Sequence, residues 1–471
     1  MRKLPLPLLL VLLTACEVGP NYKRPQVEPA AQFRTQAQAE AASFADQPWW
    51  DVFADPTLKG LIDQALANNF DAREAVQRVA EFRARAGIEQ SDYLPQVDLG
   101  SQALRGRSSS FAPSGGKTGN QLSAQATLSW ELDLWGRLRR LNEASRAQFL
   151  ASQEAQRGVF LTTAAQVAQA YFQLRDLDAR LEIARSTTQA FQETYDLFNH
   201  RFTGGAASAL ETSRAEAAQA AAAAYIPDLE RQIQAQENLL SFLVGRNPGP
   251  IPRGAVLTAQ PLPPQIPAGL PSTLMERRPD LRQAEQELVS ANAQVGVAQA
   301  NYFPTLSLTG LLGGLAPNVN QMFSTGREWN IGPSFNLPPL QGLRLKYQKA
   351  AAVAQWEQAR TRYQAAVSGA FGEVSTQLTA YQKLAEVETQ QARAVAAYQE
   401  AVRLATLRYT AGLSSYMEVL EAQQQLFPAQ NSLSQARLSR LVSLVQLYKA
   451  LGGGWNLKNP EDPGAWAAPR K

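Results

Sequence analysis

The feature that most restricts the fold is an internal duplication. Asp71-Ala72-Arg73 and Asp280-Leu281-Arg282 begin two copies of one segment, 209 residues apart. Arg201-Phe202-Thr203-Gly204-Gly205 and Arg408-Tyr409-Thr410-Ala411-Gly412 form a second pair, 207 residues apart. A period this long predicts two tandem structural repeats rather than several unrelated domains in the 471-residue chain.

The duplication divides the chain into six predicted segments. Residues 247–272 hold eight prolines, too many for a helix or a central strand, so they are predicted to form a linker. The other segments are a signal peptide (1–15), a lipid-anchored N-terminal segment (16–56), a first repeat (57–246), a second repeat (273–455) and a C-terminal tail (456–471).

The N-terminus has the pattern of a bacterial lipoprotein signal. Arg2-Lys3 precedes an apolar run, 4–13, that is too short to cross a bilayer. Leu13-Thr14-Ala15 stands directly before Cys16, the only cysteine, which is therefore predicted to carry lipid; a free thiol is the alternative. Glu17 is not the aspartate typical of inner-membrane retention, so an anchor in outer-membrane lipid is favoured.

Composition excludes several kinds of chemistry. With one histidine and one cysteine, the chain has too few of these residues for a His/Cys metal site or a disulfide framework. A Ser-His relay would have to use the single histidine. The net charge is only +4, and no basic cluster interleaves with aromatic residues, so nucleic acid is not predicted as a partner. Carboxylate chemistry remains open, but nothing else favours an enzyme, a cofactor or a metal.

Each repeat contains one very long proline-free helix, predicted at 140–202 and 343–409. At 1.5 Å per residue these helices measure roughly 95 and 100 Å, over three times the thickness of a hydrocarbon core of roughly 30 Å. Shorter helices, predicted at 57–92, 210–245, 274–302 and 417–451, stack in pairs to match them, giving four helical columns per chain. The first long helix carries two heptad seams, one at Phe160, Val167, Leu174, Leu181, Thr188, Tyr195 and Phe202, the other at Thr163, Ala170, Leu177, Ala184, Phe191 and Phe198.

Four strands per chain carry a membrane signal. Residues 122–134 and 328–337 alternate apolar and polar side chains, and their partners begin near Val97 and Leu306. This pattern is typical of outer-membrane barrel strands, although one such strand alone also fits a soluble sandwich. Four strands cannot close in lipid without leaving backbone groups unpaired, so the chain is predicted to oligomerise around a water-filled tunnel. The number of strands per chain does not by itself determine that three copies assemble.

Several motifs in order resemble one known family. They are 16–25 (CEVGPNYKRP), Pro48-Trp49-Trp50, 130–137 (WELDLWGR), 276–280 (ERRPD) and 450–455 (ALGGGW). The chain resembles the outer-membrane efflux lipoproteins of resistance-nodulation-division systems in the TolC superfamily. The resemblance implies a mainly α fold with a transmembrane β-barrel, a homotrimer with twelve strands, and a periplasmic tunnel of twelve helical columns.

The resemblance also implies partners and a function. The partners are a periplasmic adaptor (membrane fusion) protein and an inner-membrane resistance-nodulation-division transporter, and the function is passive export of drugs or other small molecules. The outer component of a type I protein-secretion system is the alternative conduit. A structural coiled-coil lipoprotein and a carboxylate-based glycosidase are the contrasting classes.

Two turns are predicted at the far ends of the long helices. Gly204 and Gly205 lie in the first turn and Gly412 in the second, because glycine permits the positive φ that a tight turn requires. These tips are predicted to face the pump or adaptor.

The resemblance places Met417, Glu421 and Gln424 at a periplasmic aperture, where relatives carry an apolar residue, an acid and an arginine. Gln424 removes the usual cation. Arg214 is the repeat mate of Glu421 at an offset of 207, which makes it a candidate replacement partner. The alternative is that both are ordinary charges on a wet helical face.

Overall fold

The computed structural model describes residues 17–26, 53, 55–107, 109, 111, 116, 118–263, 266, 273–337 and 342–453. The predicted signal peptide, the lipidation site Cys16 and the predicted C-terminal tail lie outside these ranges, as does much of the predicted N-terminal segment. Within them the chain is mainly helical, with one four-stranded sheet.

The helices of four residues or more follow the duplicated order. In the first repeat they are α1 (Pro56–Asn68), α2 (Phe70–Ser91), α3 (Arg137–Thr203), α4 (Ala209–Ala223) and α5 (Tyr225–Leu243). In the second repeat they are α6 (Leu274–Arg277), α7 (Pro279–Ala300), α8 (Val319–Met322), α9 (Gly342–Thr410) and α10 (Tyr416–Ala450). The two long helices predicted from the absence of proline are confirmed as α3 and α9.

Three of the predicted shorter helices are wrong as single helices. The first is interrupted at Asn69, whose side chain caps α2 at the N–H of Ala72 and donates to the carbonyl oxygen of Leu243 (2.9 Å). The second is interrupted at Ala224, because Pro227 lacks an N–H and its ring excludes a regular turn before it. The third is interrupted at an extended residue before Pro279, which is the conformation that proline imposes on its predecessor.

The heptad pattern of α3 is confirmed in one of its two seams. The seam that is buried throughout consists of Thr163, Ala170, Leu177, Ala184, Phe191 and Phe198. The other seam is fully buried at Val167 and Leu174 but half-buried at Tyr195 and exposed at Phe202. The contact surface of the helix therefore narrows toward its C-terminal end.

The four strands are antiparallel and lie in the order β1 (Gln96–Arg107), β2 (Thr118–Leu132), β3 (Thr305–Ala316) and β4 (Arg327–Asn336). Their register aligns most of the apolar side chains on one side of the sheet, while Leu104, Leu311 and Leu315 lie on the other. We call one side the apolar face; it carries Val97, Leu99, Ala103, Leu122, Ala124, Ala126, Leu128, Trp130, Leu306, Leu308, Leu312, Trp329, Ile331 and Phe335. The polar face carries the intervening residues, among them Gln125, whose amide donates to Glu328 (2.5 Å) across the bare backbone of Gly313.

The chain forms two compact units. The described residues of the sheet unit lie within 17–26, 77–153 and 283–365. Its described N-terminal residues are held in place: Val18 donates to the carbonyl oxygen of Trp135 (3.1 Å), and Arg24 forms a two-pronged ion pair with Glu285 (2.6 and 2.5 Å). The segment that follows Cys16 in the chain is thus ordered against this unit.

The described residues of the helical unit lie within 53–76, 154–282 and 366–453. Its main core surrounds Tyr171 and Phe172, which are both fully buried. Asp55 organises the polar part of this core, because its carboxylate caps α1 and accepts hydrogen bonds from Tyr171 Oη (2.9 Å) and Gln260 Nε2 (2.7 Å). Burial beside this carboxylate raises the pKa of Tyr171.

Candidate functional site

The two helical tips share one backbone design. Gly205 and Gly412 have φ of +73° and +72°, and each ends a long helix in a left-handed conformation that glycine adopts without strain. Ala206 donates to the carbonyl oxygen of Arg201 (2.7 Å), and its repeat mate Leu413 donates to that of Arg408 (2.8 Å). Gly205 and Gly412 thus have the positive φ expected of a tight turn, whereas Gly204, also in the turn, does not.

The side chains that follow the two turns differ. Ser208 and Glu211 form a reciprocal capping box at the start of α4, with Ser208 N–H donating to the Glu211 carboxylate (2.8 Å). The mate of Ser208, Ser415, makes no side-chain cap at the start of α10. The mate of Glu211, Glu418, instead forms an ion pair with Arg408 (3.5 Å).

An aromatic cluster joins the second tip to the first hairpin. Tyr416 packs edge-on against Phe198 of α3 (4.9 Å between ring centroids) and against Tyr409 of α9 (5.0 Å). Its hydroxyl shares a hydrogen bond with the Thr194 hydroxyl, and the Arg201 guanidinium lies 5.5 Å from the centre of the Tyr409 ring. Burial raises the pKa of Tyr416. The second hairpin therefore packs against the first through Tyr416 and Tyr409.

The structure places the predicted aperture residues on facing helices. Met417, Glu421 and Gln424 lie at helical spacings of four and three on α10, so they share one side of it, and all three are exposed. Arg214 of α4 reaches across to Met417, with its guanidinium nitrogen 3.4 Å from the sulfur. Within the described residues the structure records no ion pair between Arg214 and Glu421. The interaction between Arg214 and Glu421 stays a prediction, because Arg214 contacts Met417, one helical turn before Glu421.

Sequence reasoning missed the residues that connect the hairpins. Thr194, Phe198, Tyr409 and Tyr416 were identified at most as seam positions, because a heptad pattern shows which side of a helix is buried but not which helix covers it. A usable signal was present: aromatic residues flank the second turn on both sides, at 409 and 416.

The described residues offer no site for a metal ion, since no group of three His, Cys, Asp or Glu side chains comes together among them. None of the described helices has a stretch that is long and apolar enough to cross a lipid bilayer. The chemistry of the tips is thus that of packing, capping and exposed charge.

Comparison with solved structures defines the class. The outer-membrane channel MtrE of Neisseria gonorrhoeae, in its open state, superimposes with a TM-score of 0.84 at 31% identity, covering 93% of this chain and 98% of that one. Paired helical hairpins and a four-stranded sheet with one apolar face are thus the fold of an outer-membrane channel.

Sequence comparison gives the family. Residues 61–246 and 270–453 match the family of outer membrane efflux proteins, and the chain belongs to that family. The probable efflux pump outer membrane protein TtgC of Pseudomonas putida is 35% identical over 454 residues, or 94% of each chain. The cation efflux system protein CusC of Escherichia coli is 31% identical over 449 residues, or 94% of this chain and 96% of that one.

These findings confirm several predictions. The protein is an outer-membrane component of an efflux system, and the relatives favour efflux over the alternative of type I secretion. The fold class is confirmed as mainly helical with a four-stranded sheet.

Proposed function

We propose that three copies of this chain close into a twelve-stranded barrel and a helical tunnel that conducts small molecules out of the cell. The observation that carries the proposal is the sheet: it has one apolar face, and its edge strands β1 and β4 each lack a partner on one side within the described chain. Unpaired backbone in lipid costs several kcal/mol per group, so an amphipathic sheet in a membrane must close on itself or on other copies.

Planar-bilayer recording tests the conduit. Purified trimers are expected to give discrete conductance steps that monomer fractions lack. A cysteine introduced in β1 and another in β4 should give disulfide-linked trimers only when both are present, whereas a pair between β2 and β3 should link within one chain. Conducting monomers, or trimers without conductance, would overturn the proposal.

In this proposal the duct is passive, and an inner-membrane resistance-nodulation-division transporter with a periplasmic adaptor drives export. The hairpin tips are where the adaptor or pump engages. Bulky substitutions at Ala206 or Leu413 are then expected to reduce resistance to exported compounds without reducing trimer yield. Labelling of these positions from outside intact cells would show that the orientation is wrong. Deleting the gene and testing which compounds become more toxic identifies the exported class.

We also propose that Cys16 carries the lipid that anchors the mature N-terminus in the outer membrane. The Cys16→Ser protein is expected to incorporate no labelled palmitate. The barrel should still insert behind another signal peptide, because its apolar face buries far more surface than acyl chains do. Palmitate on the Cys16→Ser protein would contradict the anchor without touching the barrel.

The aperture is proposed to be lined by Met417, Glu421 and Gln424 of three copies. Three Glu421 carboxylates brought together repel one another, so a nearby cation such as Arg214 favours the narrow state. Glu421→Ala and Arg214→Ala are each expected to raise single-channel conductance, and the double variant should show less than the sum. Unchanged conductance in both single variants would make them ordinary surface charges.

A further inference from the structure

Three arginines occupy one end of the apolar face. Arg105 and Arg107 continue the alternation of β1 beyond Ala103, and Arg327 opens β4 two residues before Trp329. The register places all three on the same side of the sheet as the leucines and tryptophans. Among the described strand residues no other charged side chain lies on that face. The charge is therefore concentrated toward the strand ends opposite those that join α2, α3, α7 and α9.

Within the part of the chain that the structure describes, this positive charge is not neutralised. Within the described residues the structure records no ion pair for any of the three, and Arg107 donates to the carbonyl oxygen of Gly116 (2.8 Å). No Asp or Glu occurs between Asp98 and Glu131 in the sequence. Glu328, next to Arg327, points to the opposite face, where Gln125 binds it. An external anion is the partner that fits exposed guanidinium groups of this kind.

An apolar recess lies beside Arg327. It has a volume of about 540 Å³, and its lining includes Leu99, Ala126 and Leu312 of the apolar face and the ring of Phe323 from the loop before β4. Phe323 is 67% exposed, which is unusual for a phenylalanine ring without a covering group. A hydrocarbon wall with a guanidinium at its edge suits a ligand that has both an acyl chain and an anionic headgroup.

The arginines come from the two edges of the sheet. β1 ends at Arg107 and β4 begins at Arg327, so both edges carry their arginines toward the same end, with Arg327 aligned through the register with Ser101, four residues before Arg105. When copies close edge to edge, β4 of one copy lies beside β1 of the next. Each seam then brings Arg327 of one copy, at the edge of its recess, beside strand β1 of the next copy, which carries Arg105 and Arg107. The site is incomplete in a single chain.

We propose that each seam binds the phosphorylated headgroup of a lipid in the outer leaflet, with an acyl chain of that lipid in the recess. The inference rests on the proposed trimeric barrel. The leaflet follows from chain order, because these strand ends join to each other, β3 and β4 through the short α8, and the opposite ends join α2, α3, α7 and α9. Arginine forms two parallel hydrogen bonds with a phosphate, which gives orientation as well as charge.

Lipid binding to purified full-length trimers tests the proposal. Trimers in phosphatidylcholine nanodiscs are titrated with diphosphoryl lipid A and, in a second arm, with monophosphoryl lipid A, and bound lipid is counted by native mass spectrometry. The wild type should prefer the diphosphoryl form. A basic residue near a charged membrane surface contributes roughly fivefold to binding, so the triple variant Arg105→Gln, Arg107→Gln, Arg327→Gln should bind about a hundredfold more weakly.

Matched variants separate charge from general damage. Arg231→Gln removes the same charge from the exposed surface of α5, where Arg231 pairs with Asp228, and should bind like the wild type. Arg→Lys at the three positions should restore part of the binding, because charge returns without the two-pronged geometry. If the triple variant does not assemble, Arg327→Gln alone should still show about a fivefold loss.

The outcomes distinguish the two proposals. Trimers that conduct but bind both lipids equally, or a triple variant within twofold of the wild type, would overturn the lipid site and leave the barrel standing. Failure of the wild-type chain to form conducting trimers would overturn both.

Discussion

The two hairpin tips have the same backbone and different side-chain contacts. Gly205 and Gly412 adopt the same positive φ, and the hydrogen bonds that close the two turns correspond at an offset of 207. The first tip is self-sufficient, because Ser208 and Glu211 cap the helix that follows it. The second lacks that side-chain cap and packs through Tyr416 on α3 instead. Duplication thus kept the turn, while the local contacts diverged: the first tip has a side-chain cap of its own, and the second relies on aromatic packing against α3.

The largest effect is expected from Tyr416→Ala. Removing the ring abolishes its contacts with Phe198 and Tyr409 and leaves the Thr194 hydroxyl without this partner. A loss of about 3 kcal/mol in the local stability of the second tip follows from truncation of a packed aromatic ring. Native-state hydrogen exchange of residues 405–420 measures it.

Tyr416→Phe is the control for the ring alone. It keeps the ring contacts and removes only the hydroxyl, so about 1 kcal/mol is expected. Equal exchange in wild type and Tyr416→Ala would show that the second hairpin is as independent as the first.

The glycines test what the tips share. A Cβ at Gly205 or Gly412 would meet no heavy atom within 4 Å, so Gly→Ala at either position is penalised by backbone conformation alone. The expected loss is about 1.5 kcal/mol at each, measured by exchange of the adjoining turn. Gly204→Ala is the matched control and should cost little, because Gly204 does not have positive φ. Unequal losses at Gly205 and Gly412 would break the equivalence of the two turns.

The serines test what the tips do not share. Ser208→Ala removes a capping side chain and should lower the stability of the start of α4 by about 1 kcal/mol. Ser415→Ala should have almost no effect, because Ser415 makes no side-chain cap. Exchange rates of the first turns of α4 and α10 provide the comparison. Similar losses in both would mean that the second tip uses its serine after all.

The duplication, the two long helices and the four strands were predictable from the sequence, because absence of proline and alternation of polarity are local signals. Pro227 was also a local signal, and the break before it was predictable but missed. The break at Asn69 was not, since the asparagine is held by Leu243, 174 residues away. Pro428 shows the limit of such rules, because α10 passes through it without a break.

The residues of the candidate site likewise divide into those that were predictable from the sequence and those that were not. Turn glycines were predictable because positive φ requires them. The contact between Arg214 and Met417 was not predictable. The offset of 207 shows that Arg214 and Glu421 occupy equivalent positions in the two repeats, but it does not show how α4 is rotated against α10. Long-range packing sets that rotation, and no spacing in a single sequence encodes it.

The smallest effect is expected from acid. The backbone N–H and hydroxyl of Ser208 donate to the Glu211 carboxylate and lower its pKa below the ordinary value of 4.5. A carboxyl group whose pKa is lower in the folded state than in the unfolded state stabilises the fold. This contribution is complete above the pKa of the unfolded state and is lost as the pH falls through the pKa of the folded state. The start of α4 should therefore loosen below pH 4.5. The size is small, because the hydrogen bonds between Ser208 and Glu211 are exposed to solvent, which screens the charge.

A spin label at Ala206 measures this loosening as an increase in mobility between pH 7 and pH 3. In Glu211→Gln the capping box lacks a titrating group, so the label should show the same mobility throughout that range. An identical pH response in the Gln variant would assign the change to other carboxylates. It would also remove the electrostatic part of the difference between the tips, leaving Tyr416 as the contact that makes the second hairpin depend on the first.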